Sequence, residues 1–184
     1  MIYKSVYPLV YSTTYVKTTT YNNTGNYEGY RTTDPSNSLV GGWENKEWLS
    51  QATLSNTNQR FHIDLGSAII IVRIYYENCH YAGASTTQGS KNFTFWGSND
   101  ASAFAELTYG TDTNWTQLTT GASSLDQHTG SDVADPKYIL VTNTTAYRYY
   151  AFKFADNWGG TDYMGVRRIE LQKTAVLGLM AFFE

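Results

Sequence analysis

The segment of this chain best equipped for chemistry is residues 156–163, which read D-N-W-G-G-T-D-Y. Its two aromatic side chains, Trp158 and Tyr163, offer flat faces that can stack on the C–H side of a pyranose ring. Its carboxylate and amide groups, which can hydrogen-bond sugar hydroxyls, belong to Asp156, Asn157 and Asp162. This combination predicts a carbohydrate site. The alternative is that Trp158 only closes one end of the fold.

A second candidate segment, residues 77–90, is long for a connection between strands and contains Asn78, His80 and Tyr81. Long loops in compact domains are often functional. We expect this loop to lie at one end of the fold, with Asn78 among the ligand contacts and His80 hydrogen-bonding a hydroxyl. The alternative is a solvated loop histidine that touches no ligand.

Catalysis is poorly supported by the sequence. The carboxylates that could pair at a plausible site are Asp156 and Asp162, and the three histidines lack metal-ligand spacing. No nucleophile-elbow, zinc-protease or phosphate-loop motif occurs. The single cysteine, Cys79, precedes His80, and a small half-buried residue at a strand end is favoured there over a nucleophile. We therefore predict that the chain is not an enzyme.

Length, charge and hydropathy exclude other classes of partner. The 184-residue chain can build one domain with a core, and its net charge of −3, without any Lys/Arg run, argues against nucleic acid. The longest apolar run, Ala175–Phe183, is about half as long as a membrane-spanning helix, so we expect no membrane insertion. This run should lie on its own sheet or on a neighbouring subunit. Residues 1–10 do not resemble a secretory signal.

The elements that must position these loops are strands, because helical periodicity is scarce and β-branched and aromatic residues dominate. In residues 60–66 (R-F-H-I-D-L-G) apolar and polar side chains alternate, so one face should be buried and the other wet, and Gly66 should end the strand. In the loop-like segment 38–50 we favour Trp43 and Trp48 as core residues, with ligand platforms as the alternative. The predicted strands are Gln59–Leu65, Ile69–Glu77, Asn92–Gly97, Thr116–Thr120, Lys137–Asn143, Arg148–Ala155 and Val166–Lys173. They indicate a single all-β domain, a sandwich or jelly roll.

The order of motifs over about residues 40–173 resembles the discoidin, or coagulation factor 5/8 type C, family of galactose-binding-like (carbohydrate-binding module 32-like) domains. The matching pieces are Trp48–Ser50, Arg60–Gly66, Ile71–Tyr75, Phe93–Asp100, Trp115–Leu118, Arg148–Phe152 and Gly165–Leu171. The resemblance implies an eight-stranded antiparallel jelly-roll β-sandwich with a ligand site in the loops at one end. It also implies no catalysis and, as in many members, a structural calcium ion.

The same resemblance suggests roles for individual residues. Arg148 stands where the family often places a basic residue near the ligand, with a solvated charge pair as the alternative. Glu170 matches the glutamate of the closing strand, and Glu44 and Asn45 lie in the corresponding early loop. These three residues are therefore the expected calcium ligands, since calcium takes oxygen donors. The early turn departs from the family pattern.

We expect a non-catalytic carbohydrate-binding domain that serves glycan adhesion. Its Tyr-, Thr-, Asn- and Gly-rich composition is typical of phage tail and capsid appendages, so a virion or other extracellular assembled surface is the expected location and a cell-surface glycan the expected partner. The alternative is a structural or decoration protein whose terminal segments, 1–39 and 174–184, pack on neighbouring subunits without any sugar. A module attached to glycan-degrading machinery remains a third interpretation.

Overall fold

The computed structural model of the protein describes residues 1–23, 26–51 and 55–175. Short strands dominate this part of the chain, and the described strands are β1 (Tyr3–Val6), β2 (Val16–Thr18), β3 (Trp48–Leu49), β4 (Gln59–Ile69), β5 (Arg73–Asn78), β6 (Phe93–Ser98), β7 (Thr116–Thr120), β8 (Lys137–Thr142), β9 (Tyr147–Phe154) and β10 (Gly165–Thr174). The described helices are α1 (Tyr30–Thr33), α2 (Ala101–Ala105) and the 3₁₀ turn Thr86–Gln88. The all-β class predicted from the sequence is confirmed.

The strands form two antiparallel layers that curl into one sandwich. One layer has the order β1-β10-β5-β8, with β3 also paired to β10, and the other has the order β7-β6-β9-β4-β2. A short ladder between β7 and β8, through Thr119–Thr142 and Thr120–Val141, joins the layers along one side. This arrangement is the predicted jelly-roll sandwich.

The core lies between the layers and is built mainly from aromatic side chains. Phe61 and Ile63 of β4 and Phe152 and Phe154 of β9 are all buried, and the rings of Phe152 and Phe154 stack at 5.4 Å. Each such side chain contributes roughly 1.5 to 3 kcal/mol when fully buried. The alternation read from residues 60–66 therefore identifies the core face of β4 correctly.

The other face of β4 is not wet, contrary to the prediction. His62 is fully buried because α2 and the segment after it cover this face, with the Trp115 ring 4.9 Å from the imidazole. Arg60 is also fully buried and donates to the carbonyl of Thr108 at 2.9 Å, which anchors the covering segment. The side chain of Asp100 caps α2 by accepting from the Ser102 N–H at 2.7 Å.

The predicted end of a strand at Gly66 is also wrong. β4 runs through Gly66 to Ile69, with a register shift against β9 after Asp64. Gly66 has φ +76°, and a Cβ there would collide with Leu9, so the chain bends at this position without ending the strand. The next strand consequently begins at Arg73 and not at Ile69.

The N-terminal segment adds strands to the sandwich, which is why the described residues hold ten strands where eight were expected. β1 pairs with β10 and β2 pairs with β4, so both lie at sheet edges. Of the apolar run Ala175–Phe183, all but Ala175 falls outside the described residues, so its predicted contact stays a prediction. None of the described helices has the length and apolar character needed to cross a membrane.

Candidate functional site

A concave pocket of about 370 Å³ opens at the end of the sandwich where β5 ends and β3 begins. We call it the aromatic pocket, and its lining residues are Tyr27, Gly42, Trp43, Glu44, Asn45, Lys46 and Tyr81. The lining comes from three places in the chain: the segment before α1, the loop between α1 and β3, and the loop after β5. The volume is in the range of small-molecule sites.

Aromatic rings form the walls of the aromatic pocket. The ring of Trp43 lies nearly perpendicular to that of Tyr81, with 5.0 Å between centroids and 70° between planes. On the other side, Tyr163 packs against Trp43 at 6.0 Å and 69°. Tyr81 is 51% exposed, so its ring is available at the mouth. Edge-to-face packing holds these rings in place, and two of them, Trp43 and Tyr81, line the aromatic pocket.

The loop that carries Trp43 folds through two left-handed residues. Gly41 has φ +83° and Asn45 has φ +60°, conformations that glycine and asparagine adopt most readily. The Gly41 N–H donates to the Asp132 side chain at 2.7 Å, and the Gly41 carbonyl accepts from the Ala82 N–H at 3.0 Å. The loop is thereby tied to the neighbouring loop that bears Tyr81.

Arg167 of β10 joins the two loops from below. Its guanidinium is fully buried and donates to the carbonyls of Gly41 at 3.0 Å, Gly42 at 3.1 Å and also His80. Its Nε lies 3.1 Å from the carboxylate of Glu47, which is equally buried. Burial raises the pKa of Glu47 to about 8, and the opposing effect of Arg167 is smaller. This buried pair sets the positions of both loops that line the aromatic pocket.

The structure places Cys79 and His80 in the interior beneath the aromatic pocket. Burial raises the pKa of the Cys79 thiol well above its ordinary value, so the sulfur stays protonated. His80 is fully buried: its Nδ1 accepts from the Gly83 N–H at 3.0 Å and its Nε2 lies 2.9 Å from the Leu39 carbonyl. Both ring nitrogens of His80 therefore bind backbone, and the side chain supports the loop that presents Tyr81.

The predicted amide ligands also serve the fold. Asn78 is buried, and its amide donates to the carbonyls of Ser90 and Asp126, both at 2.8 Å. Asn157 donates to the carbonyls of Gly160 at 2.9 Å and Tyr163 at 2.7 Å. These bonds shape the loops, because a buried amide that has all its partners is costly to redirect.

Within residues 156–163 the side chains have different surroundings. Asp156 accepts from the backbone and the side chain of Asn92, so it joins this segment to the chain before β6. Trp158 is half-buried: its indole N–H donates to the Leu125 carbonyl at 3.2 Å, and the Lys91 ammonium covers the ring at 4.6 Å. Asp162 is exposed. Tyr163 is the residue of this segment that contacts a wall of the aromatic pocket.

Arg148 lies at the opposite end of the sandwich. It stands near the start of β9, whereas the segment 156–163 follows the end of that strand. Its guanidinium makes a two-pronged pair with Asp64, both contacts at 2.8 Å. This pairing with a carboxylate matches the alternative given for Arg148 from the sequence.

The three expected calcium ligands do not come together as one set. One carboxylate oxygen of Glu170 accepts from the hydroxyls of Ser5 at 2.6 Å and Tyr7 at 3.1 Å, and the other accepts from Arg168 at 3.3 Å, so both oxygens already have donors. Glu44 and Asn45 line the aromatic pocket, which lies beyond the start of β10. Glu170 lies further along β10, about 13 Å from Val166 at the start of that strand. The three residues are therefore far apart. No cluster of three His, Cys, Asp or Glu suited to a metal occurs among the described residues. Calcium binding stays a prediction.

The sequence places Tyr81 on the right loop, but none of the ligand contacts predicted from it is Tyr27, Trp43 or Tyr81, which line the aromatic pocket. Trp48 is a core residue as interpreted, and its indole N–H donates to the Thr20 carbonyl at 3.0 Å. Trp43, in contrast, lines the aromatic pocket. A local signal separates the two, because Trp43 lies between two glycines and the polar run Glu44–Lys46, whereas Trp48 begins a strand.

Comparisons with known proteins support the same architecture. A family described as a domain of unknown function, DUF5000, matches residues 37–173. The search of curated proteins gives no match. Among solved structures, chitosan-binding module 1 from the chitosanase/glucanase of Paenibacillus sp. IK-5 is 21% identical, with a TM-score of 0.53 over 85% of this chain and 92% of that chain.

Two further similar structures come from Clostridium perfringens. A CBM32 module in complex with GalNAc-β-1,3-galactose is 14% identical, with a TM-score of 0.58 over 85% of this chain and 92% of that chain. The family 32 module from NanJ in complex with galactose is 9% identical, with a TM-score of 0.58 over 86% of this chain and 92% of that chain. The galactose-binding-like fold expected from the motifs is therefore confirmed.

Proposed function

This chain belongs to the DUF5000 family, and we propose that it is a non-catalytic carbohydrate-binding domain with its ligand site in the aromatic pocket. The observation that carries the proposal is the edge-to-face pair of Trp43 and Tyr81, both of which line an open concavity. An aromatic face receives the C–H side of a sugar ring, and polar groups at the rim receive its hydroxyls. Asn45 and Lys46 supply such groups beside the rings.

Two further observations support this proposal. The volume of about 370 Å³ suits one or two sugar rings. Several proteins with the same fold carry a sugar or a polysaccharide in their names, among them chitosan, galactose and GalNAc-β-1,3-galactose. The groups that most resemble catalytic ones, Cys79 and His80, are buried and bound to the protein's own atoms, which supports binding without catalysis.

A tryptophan-fluorescence titration and a glycan array test the proposal. We expect Tyr81→Ala to weaken sugar binding about tenfold, because one aromatic stack contributes about 1 to 1.5 kcal/mol. Tyr81 is half exposed, so this change should leave the fold intact. The matched control is Tyr138→Ala, which removes an equally exposed tyrosine from β8. Silence of the wild type across a broad array, or equal losses in the two variants, would contradict the proposal.

We also propose that the domain works on a virion or another extracellular assembled surface, where it touches a cell-surface glycan. The low charge content and the high content of Tyr, Thr and Asn support this location. Neighbouring subunits are the proposed protein partners, and exposed apolar residues such as Ile70 and Leu140 are candidates for that contact. A monomer in light scattering at high concentration would contradict the assembly; a stable oligomer that binds no glycan would favour the structural alternative.

A further inference from the structure

We propose that the stacked imidazoles of His80 and His128 form an acid-sensitive contact, whose protonation opens the loops beside the aromatic pocket and releases a bound glycan. We call these two side chains the histidine pair. The inference rests on the proposed function and concerns the regulation of the same site. The features that carry it are the stacking of the rings, the hydrogen bonds of their nitrogens and the turn that one of those bonds supports.

The two rings of the histidine pair lie face to face inside the protein. Their centroids are 3.9 Å apart, their planes differ by 15°, and both side chains are buried. Two neutral imidazoles pack well at this distance, whereas two imidazolium ions would repel each other strongly. Arg167 adds a buried positive charge, since its guanidinium donates to the His80 carbonyl. The surroundings therefore favour the neutral histidine pair.

The hydrogen bonds of the histidine pair also require neutral rings. Nε2 lies 2.9 Å from a backbone carbonyl in His80 and 3.1 Å from one in His128, so each ring carries its proton on Nε2. Nδ1 is then an acceptor in both rings: that of His80 accepts from the Gly83 N–H at 3.0 Å, and that of His128 accepts from the Gly130 N–H at 3.4 Å. A proton on either Nδ1 would replace this acceptor with a donor and break the bond to the glycine.

The glycine bound by His80 belongs to the turn that presents Tyr81. Tyr81 and Ala84 exchange two backbone hydrogen bonds of 2.8 Å, so Ala82 and Gly83 are the central residues of a two-residue turn. Ala82 has φ +46° and Gly83 has φ +83°. Because alanine is disfavoured in the left-handed region, this turn depends on bonds from outside it. Nδ1 of His80 supplies one of them, and its loss should release the Tyr81 ring at the mouth of the aromatic pocket.

The same turn packs directly on the loop that contains His128. A Cβ at Gly83 would lie 2.7 Å from backbone atoms of Ser131 and Asp132, so the two loops touch. Asp132 also accepts from the N–H of Gly41, which lies in the other loop that lines the aromatic pocket. Repulsion within the histidine pair should therefore disturb both lining loops.

The groups around the histidine pair leave burial as the dominant effect. Charged and titratable side chains on the elements around it are the Cys79 thiol, the buried pair of Arg167 and Glu47, the carboxylates of Glu77, Asp126, Asp132 and Asp135, and the ammonium groups of Lys46 and Lys137. Burial is the main cause that lowers the pKa of His80, and Arg167 and His128 lower it further. The Leu39 carbonyl and Asp132 oppose this effect but do not offset it.

The sign of the pH effect follows from that balance. Since the folded pKa of His80 lies below its ordinary value of 6.5, a state with solvated rings takes up the proton more readily than the closed state. The closed loops therefore have their full stability above pH 6.5 and lose it as the pH falls below that value.

NMR spectroscopy of the full chain between pH 7.5 and pH 5 tests the acid-sensitive contact without a ligand. As the rings take up protons, we expect the amide-exchange protection factors of Gly83 and Gly130 to fall about tenfold. The double variant His80→Gln with His128→Gln should keep its protection, because glutamine offers a donor and an acceptor but does not titrate. His62→Gln changes a buried histidine outside the histidine pair, so it is the matched control and should behave like the wild type.

A glycan array read at pH 7.5 and at pH 5 tests the consequence for binding. We expect the signals of the wild type and of His62→Gln to fall about tenfold at pH 5. The signals of the double variant should be the same at the two pH values.

The outcomes separate the two proposals. Unchanged protection of Gly83 and Gly130 in the wild type down to pH 5 would overturn the acid-sensitive contact and leave the proposed function intact; this result decides even where the double variant does not fold. An equal loss of protection in the double variant would overturn it as well. Array signals that are the same at both pH values would overturn the release of a glycan. An array that is silent at both would overturn the proposed function, and the release with it, whatever the protection factors show.

Discussion

At the scale of single residues, burial decides which polar side chains remain available to a ligand. His80 and Asn78 belong to types that often bind sugars, yet both are buried and engage backbone groups. Trp43 and Tyr81, in contrast, have rings that border open space. What makes a side chain available to a ligand is therefore whether its hydrogen-bonding groups or ring faces are still unoccupied, and not its residue type.

His62 provides a prediction at this scale. Burial lowers its pKa from 6.5 to about 4, and its Nε2 has no partner among the described residues. Because the folded pKa lies below the unfolded one, the unfolded chain binds the proton more tightly. The contribution of His62 to the free energy of unfolding is therefore complete above about pH 6.5 and is lost as pH falls towards 4, by about 3 kcal/mol.

Urea unfolding between pH 7 and pH 4 measures this effect. His62→Gln, which cannot titrate in this range, should show a shallower loss of the free energy of unfolding than the wild type. Other groups contribute to both curves, so the difference between the two slopes isolates His62. Parallel curves for the wild type and His62→Gln would contradict the prediction, because they would show that His62 does not take up a proton when the chain unfolds in acid.

At the scale of elements, β10 supports the aromatic pocket although it contributes no lining residue. Arg167 lies in this strand and binds the carbonyls of two loops, while Thr32 of α1 donates to the Val166 carbonyl at 2.9 Å and accepts from the Trp48 N–H at 2.8 Å. The loops are thus attached to a rigid strand from below. Sites that rest on such a scaffold keep their geometry better than sites held by loop contacts alone.

Arg167→Gln tests this role. We expect the free energy of unfolding to fall by about 3 kcal/mol or more, because the carbonyls of Gly41, Gly42 and His80 would lose their buried donor. We also expect the near-ultraviolet circular dichroism of Trp43 and Tyr81 to weaken in whatever fraction stays folded. The double variant Arg167→Met with Glu47→Leu removes both charges and should recover part of the stability without recovering the spectrum.

Arg148→Ala is the contrasting variant for Arg167→Gln. The Arg148 side chain is 43% exposed and pairs with Asp64 at the opposite end of the sandwich. A pair this open contributes about 1 kcal/mol or less, so the loss of stability should be small and the aromatic spectrum unchanged. Similar losses in both arginine variants would contradict the assignment of Arg167 to the pocket loops.

At the scale of the whole molecule, the edge strands and the aromatic pocket are separate features. β1 pairs with residues 171–174 of β10, whereas the aromatic pocket lies beyond the first residues of that strand. Ser5 and Tyr7 also bind Glu170 across this edge. Residues 3–7 therefore cover a sheet edge away from the aromatic pocket, and protection of an edge guards against association between sheets.

Deletion of residues 1–7 tests this separation. We expect a lower midpoint of urea unfolding and a greater tendency to aggregate, because the edge of β10 and the carboxylate of Glu170 lose their partners. The dissociation constant for a sugar should not change within the fraction that remains monomeric. A weaker affinity in that fraction would show that the edge and the aromatic pocket are coupled.

The sequence by itself determined the all-β class, the core face of β4 and most bounds of the strands predicted from it, because the alternation of apolar and polar side chains is a local pattern. It did not determine that the second face of β4 is covered, that Gly66 bends a strand without ending it, or that Trp43 meets Tyr81. Only the tertiary structure decided these points. Each depends on which distant segment packs on the residue, and short-range patterns carry no information about that contact.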